Sequence, residues 1–183
     1  MLWNTQSYTG WGRALSAEGE LARPERAAAL AELYAHPAIG ARRSYGDACL
    51  NSTGAAVDMT RLDRILSFDA TTGLVEAEAG VPVGELARLF APLGWMPTVM
   101  PGTGFATIGG CIAMDVHGKN HHVDGSFGNH VTAIKLMVAG KPKTITPKRN
   151  AALFKATVGG LGQTGIIASA TLQMSRCEGE GME

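Results

Sequence analysis

Apolar and polar positions alternate most cleanly over residues 73–79 (GLVEAEA). There Val75, Ala77 and Ala79 fall on one face of an extended chain, and Leu74, Glu76 and Glu78 fall on the other. Shorter apolar runs at residues 55–59 and 64–68 also predict strands, and residues 37–40 predict a short strand entering a turn. A helical spacing replaces the alternation over residues 24–34, where proline suits the first turn and Ala27, Leu30, Ala31 and Leu33 form a stripe. Residues 83–90 predict a second helix, ended by Pro92 and Gly94. Residues 107–116 predict a short buried helix with a glycine-lined start. Residues 131–139 then read as a buried strand, with residues 143–146 as its hairpin partner. Asn150 is placed to cap a helix through Ala156, and residues 164–174 close as a long strand. Helices mixed with hairpin-like pairing predict an α+β fold.

Composition narrows the class. Apolar residues make up 45% of the 183 positions, which predicts a globular core. Sixteen basic residues balance sixteen acidic ones, so the chain lacks the cationic face that a nucleic-acid binder needs. No run approaches the length of a membrane span, and the start lacks the layout of a signal peptide. Cys49, Cys111 and Cys177 form no CxxC pair, which suits free thiols in a reducing cytoplasm.

The 24 glycines are about twice the ~7% usual share, and they gather in clusters between apolar segments. The first cluster, Gly40-Ala41-Arg42-Arg43-Ser44-Tyr45-Gly46-Asp47, offers amides, a hydroxyl and cations to an anion such as a diphosphate. A charged surface turn is the plainer alternative. The second joins Gly102 and Gly104 to Thr107-Ile108-Gly109-Gly110, where Thr107 is a candidate N-cap and a diphosphate could sit on the helix start. Close packing through glycine would explain it equally. The segment is neither a dinucleotide fingerprint nor a P-loop, since Thr107 stands where a third glycine belongs and no Gly-Lys-Ser/Thr follows.

Four of the five histidines fall in the third cluster, residues 117–130. No HExxH is present, and Gly118 and Asn120 break the helical spacing that would pair His117 with His121, so a cofactor cavity is expected there rather than a metal. The fourth cluster, residues 159–165, places four glycines before the last strand. Four separate loops imply one large, extended ligand.

The strings RSYGDACLN, TIGG, DVHGKNHH, SFGNHV and ATVGGLGQTGII resemble the FAD-binding domain of the vanillyl-alcohol-oxidase (PCMH-type) family. HGKNHH and SFGNH resemble in particular its branch of decaprenylphosphoryl-ribose oxidases. The resemblance implies two α/β subdomains clasping extended FAD: residues 1–75 with a small parallel sheet, and residues 76–174 with a mainly antiparallel one. A polar tail over 175–183 would lead to a substrate domain that this sequence does not include.

It further implies cofactor contacts from Gly40, Arg43, Ser44, Tyr45, Gly46, Asp47, Gly102, Thr107, Ile108, Gly109, Gly110, Asp115, Val116, His117 and Ile167. His117 falls where some relatives attach the flavin covalently, whereas this branch holds it non-covalently. His117 and Lys119 are the expected catalytic candidates as bases near the ring. The implied reaction is hydride transfer to flavin N5 from a secondary alcohol of a sugar or polyprenyl-phosphate sugar, with a reductase partner. An aldonolactone or alditol oxidase, or a non-catalytic FAD-binding fragment, is the alternative. Two positions depart from the family pattern Arg-Gly-x-Gly-Arg-Ser-Tyr-Gly-Asp: Ile39 replaces its first arginine, and Arg42 its second glycine. Arg42 is expected either to reshape the loop or to weaken FAD binding, because a side chain there resists positive φ.

Overall fold

The computed structural model describes residues 3–52 and 54–177. Two sheets carry the fold. The first has the order β1-β2-β4-β3, from Trp3–Thr9, Ser16–Ala22, Ala38–Ile39 (β3) and Ala56–Asp58 (β4). β1 and β2 form an antiparallel hairpin, while β4 lies parallel to both β2 and β3. This sheet is therefore mixed rather than purely parallel. Of residues 24–34, only Ala27–Ala29 (3-10) and Leu30–Leu33 (α1) are helical, because Arg26 is still extended at φ −137°.

The second sheet is wholly antiparallel, in the order β5-β6-β10-β8-β9. Its strands are Ile65–Asp69, Leu74–Glu78, Val131–Val138 (β8), Lys141–Ile145 (β9) and Ile166–Arg176 (β10). Trp95–Pro97 (β7) pairs with the far end of β10. The division between sheets thus falls between Asp58 and Ile65, earlier than the expected boundary at residue 75. β10 continues through Ser175 and Arg176, so these two belong to a strand and not to a tail, while residues 178–183 lie outside the described residues.

The alternation over residues 73–79 buries Val75, Ala77 and Ala79, as a half-buried strand must. On its other face Glu78 is buried too, held by Arg64 through Nη2 at 2.6 Å and Nε at 3.0 Å, and by the Arg64 amide. β8 and β9 turn through Ala139 (φ 48°) and Gly140 (φ 74°), the paired positive φ of a two-residue hairpin matched to strand twist.

One main core joins the sheets. Val57 of the first sheet, with Leu30 of α1 and Met59 just after β4, packs with Val75, Ile134, Leu136 and Ile166 of the second. Val83–Phe90 (α2) buries Val83, Leu86 and Phe90, and Gly94 ends the following turn at φ 78°. A smaller cluster of Tyr8, Ala17, Leu21, Ile39 and Ala56 covers the other side of the first sheet.

Candidate cofactor site

The cleft lies where the first sheet's loops face the second sheet's glycine segments. β3 ends at Ile39, and Gly40 then passes so close to Thr107 that a Cβ there would overlap Thr107 Oγ1. Thr107 is buried and precedes Ile108–Ala113 (α3), accepting from the Gly110 amide at 3.4 Å. An inner cavity of about 90 Å³ is lined by Ile39, Gly40, Ser44, Thr107, Gly109, Gly110, Leu161, Gly162 and Ile167, among others. An outer cavity of about 290 Å³ shares Gly40, Ser44, Thr107 and Gly110, and adds Trp11, Arg43, Tyr45, Gly102 and Val116. The two form one elongated recess between the sheets.

The donors differ from the expected set. Ile108 and Gly109 donate their amides to Val81 and Ala79, so the start of α3 is tied to the chain beside β6 and does not offer these groups to an anion. Ile108 is fully buried and lines neither cavity. By contrast, no described residue accepts from the amides of Ala41, Arg42, Arg43 or Ser44, nor from those of Gly102, Thr103 or Gly104. Two loops with unengaged N–H groups therefore face one recess, a backbone arrangement suited to a diphosphate.

Gly102 is the informative glycine. Its φ is not positive, and a Cβ there would meet nothing within 4 Å. Neither backbone conformation nor packing requires glycine, while close approach by a ligand would. The recess thus fits an extended dinucleotide: bare backbone at Gly102, open amides on both sides, and apolar walls from Val116, Met114 and Ile167.

Other expected contacts stand apart. Asp115, at φ 43°, directs Oδ1 to the Gly128 amide at 2.9 Å and ties two loops together. Gly46 and Asp47 are exposed and line neither cavity. His117 and Lys119 are also exposed and line neither, although His117 follows Val116 on the outer wall. Asn120 anchors their loop by donating to Thr98 O at 2.8 Å and Asp124 Oδ2 at 2.7 Å. The His117 ring meets His121 edge-on at 5.1 Å. Among the described residues no three His, Cys, Asp or Glu side chains gather closely enough to hold a metal.

Trp11, Cys49 and Met114 line the recess without having been singled out. Trp11 is exposed and stands edge-on to Tyr45 at 5.7 Å; an aromatic between two glycines was the available signal. Burial raises the Cys49 thiol pKa against an opposing backbone hydrogen bond and the Arg42 charge. Burial alone pushes Cys111 up to about 12.

Residues 25–141 match the family described as FAD binding domain. The chain belongs to this family of FAD-binding domains. FAD is accordingly its cofactor. The domain is 49% identical to the decaprenylphosphoryl-beta-D-ribose oxidase of Mycolicibacterium smegmatis over 144 residues, 77% of this chain and 31% of that protein. It is 28% identical to the D-arabinono-1,4-lactone oxidase of Yarrowia lipolytica, over 74% of this chain and 26% of that protein. It is also 28% identical to the L-gulono-1,4-lactone dehydrogenase of Mycobacterium tuberculosis, over 91% of this chain and 40% of that protein. The FAD-binding domain thus spans well under half the length of each of these relatives. No helix among its described residues is long and apolar enough to cross a membrane.

Proposed function

We propose that this chain is the FAD-binding part of an oxidoreductase that oxidises a secondary alcohol of a sugar, of the kind carried on a polyprenyl phosphate. The observation that carries the cofactor seat is Gly102, bare without structural need and facing the open amides of residues 41–44. The substrate class rests on the 49% identity to the decaprenylphosphoryl-beta-D-ribose oxidase, against 28% to the two lactone enzymes. Bound FAD would supply the hydride-accepting ring. The chain's own part is to hold the diphosphate on backbone amides, to wall the recess with Val116, Met114 and Ile167, and to present His117 and Lys119 beside that wall as bases for the hydroxyl proton. Free thiols at Cys49, Cys111 and Cys177 support a cytoplasmic setting.

An absorption titration of the purified chain with FAD tests the reading. Flavin bands should persist after desalting and leave the protein on acid precipitation, as a non-covalent cofactor does. Gly102→Val should weaken FAD binding about tenfold or more while leaving the melting temperature of the unloaded chain unchanged, since the site has room for a side chain. Undiminished FAD affinity in that variant would place the cofactor elsewhere. Bleaching of the flavin by a sugar alcohol under anaerobic conditions tests the activity separately.

A further inference from the structure

A second recess adjoins the cofactor cleft and has a different character. It measures about 470 Å³ and runs from Arg43 and Trp11 along β1, past Gln6, Ser7 and Thr9 to Arg13. Three arginines line it (Arg13, Arg42 and Arg43), and no carboxylate does. The ion pairs among the described residues engage Arg23, Arg61, Arg64, Arg88 and Lys135, and none engages these three. Arg42 and Arg43 instead lie over aromatic rings, 5.9 Å from the centre of Tyr8 and 5.4 Å from that of Phe105. Such stacking steadies the guanidinium while leaving its N–H edge available.

The backbone adds an independent observation. Arg13 and Arg42 both adopt left-handed conformations, at φ 53° and 56°. Neither is the asparagine, aspartate or glycine that tolerates this region, and each costs on the order of 1–2 kcal/mol there. Two strained arginines on one recess, with uncompensated positive charge, suggest a ligand that repays the arrangement. A single carboxylate needs one bidentate arginine; three guanidiniums around a pocket lined with hydroxyls suit the charge and tetrahedral oxygens of a phosphate.

We propose that this groove binds the phosphate group of a second ligand, separate from the cofactor. The inference rests on the functional reading only in taking the neighbouring recess for FAD. Gln6, Ser7, Thr9 and Arg13 line neither cofactor cavity, so the groove extends beyond them, while Trp11, Ala41, Arg42 and Arg43 belong to both. A phosphorylated ligand held there reaches the mouth of the cofactor cleft.

Calorimetric titration of the FAD-loaded chain with inorganic pyrophosphate, ribose 5-phosphate and ribose tests the site. Pyrophosphate or ribose 5-phosphate should bind, and Arg13→Gln and Arg42→Gln should each weaken that binding about tenfold or more. Arg13→Gln should leave FAD uptake unchanged. Binding of ribose 5-phosphate but not ribose assigns the groove to a phosphate ester, and binding of pyrophosphate alone assigns it to a free phosphate anion. Competition between pyrophosphate and FAD, unaltered affinity in Arg13→Gln, or no binding of either phosphate overturns the proposal. A chain that takes up no FAD would count against the functional reading, and the same titration of the unloaded chain would still test the groove.

Discussion

Gly40 and Thr107 occupy adjoining space: the α-carbon of one sits where a methyl group would collide with the hydroxyl of the other. The contact joins the end of β3, in the first sheet, to the start of α3, above the second. It fixes the spacing of the two loops whose amides face the cofactor recess.

Gly40→Ala should therefore destabilise the chain by about 1–3 kcal/mol through overpacking, and should lower FAD affinity as the loops part. Thr107→Ala removes the obstructing hydroxyl along with a long cap bond of 3.4 Å, at a cost of about 0.5–1 kcal/mol. The double variant should be less destabilised than the sum of the singles. Urea melts of the four proteins measure that coupling, and simple additivity would show that the two groups do not meet.

Asp115 holds the Gly128 amide and itself takes a left-handed backbone conformation. Asp115→Ala loses both advantages and should cost about 1–3 kcal/mol. Asp115→Asn keeps an acceptor and a residue that tolerates positive φ, and should stay within about 1 kcal/mol of the parent. Equal loss in both variants would point to the charge instead of the hydrogen bond.

Arg42→Gly should separate stability from ligand binding. Glycine accepts φ 56° freely, so chemical denaturation should register a gain of up to about 1 kcal/mol. The same change removes one guanidinium from the groove and should weaken pyrophosphate binding. A loss of stability would mean that stacking on Tyr8 outweighs the backbone strain.

Cys111 gives a pH dependence with a definite sign. Its folded pKa, near 12, lies above the ordinary thiol value of 9.0, so above pH 9 the unfolded chain releases this proton while the folded one retains it. The contribution is intact below pH 9 and is lost between pH 9 and 12, at about 1.4 kcal/mol per pH unit. Comparing the alkaline slopes of the parent and Cys111→Ser isolates it from other groups. Parallel slopes would refute the assignment.

Local patterns were legible where a segment decides its own structure. Residues 83–90 form the expected helix because the apolar stripe and the Pro92–Gly94 stop both act within it. β1 and β2 were missed because WNTQSYT and SAEGELA are largely polar and stabilise one another as a hairpin, a relation their individual composition does not carry. Trp95–Pro97 carries no strand pattern of its own in three residues, and its pairing with β10 makes it a strand. At Asn150 the position of the cap was legible but its chemistry was not: it precedes Ala151–Thr157 (α5) at φ 58°, with no side-chain cap bond. Of the site residues, Gly40, Ser44, Thr107, Gly110 and Ile167 converge on the recess. Ile108 and Asp115 are occupied by the fold, since which amides and carboxylates remain open depends on partners far away in sequence.

The place of β10 has a consequence for biosynthesis. It is the last described strand, yet it lies in the middle of the second sheet, between β6 and β8. Until it emerges from the ribosome, the β5–β6 and β8–β9 hairpins have no strand to join them, and each exposes an unpaired edge. Ile167, at the start of β10, also lines the inner cavity, so a nascent chain ending before it lacks both the sheet's centre and that wall of the recess. Closure of the second sheet and completion of the inner cavity therefore both wait on β10.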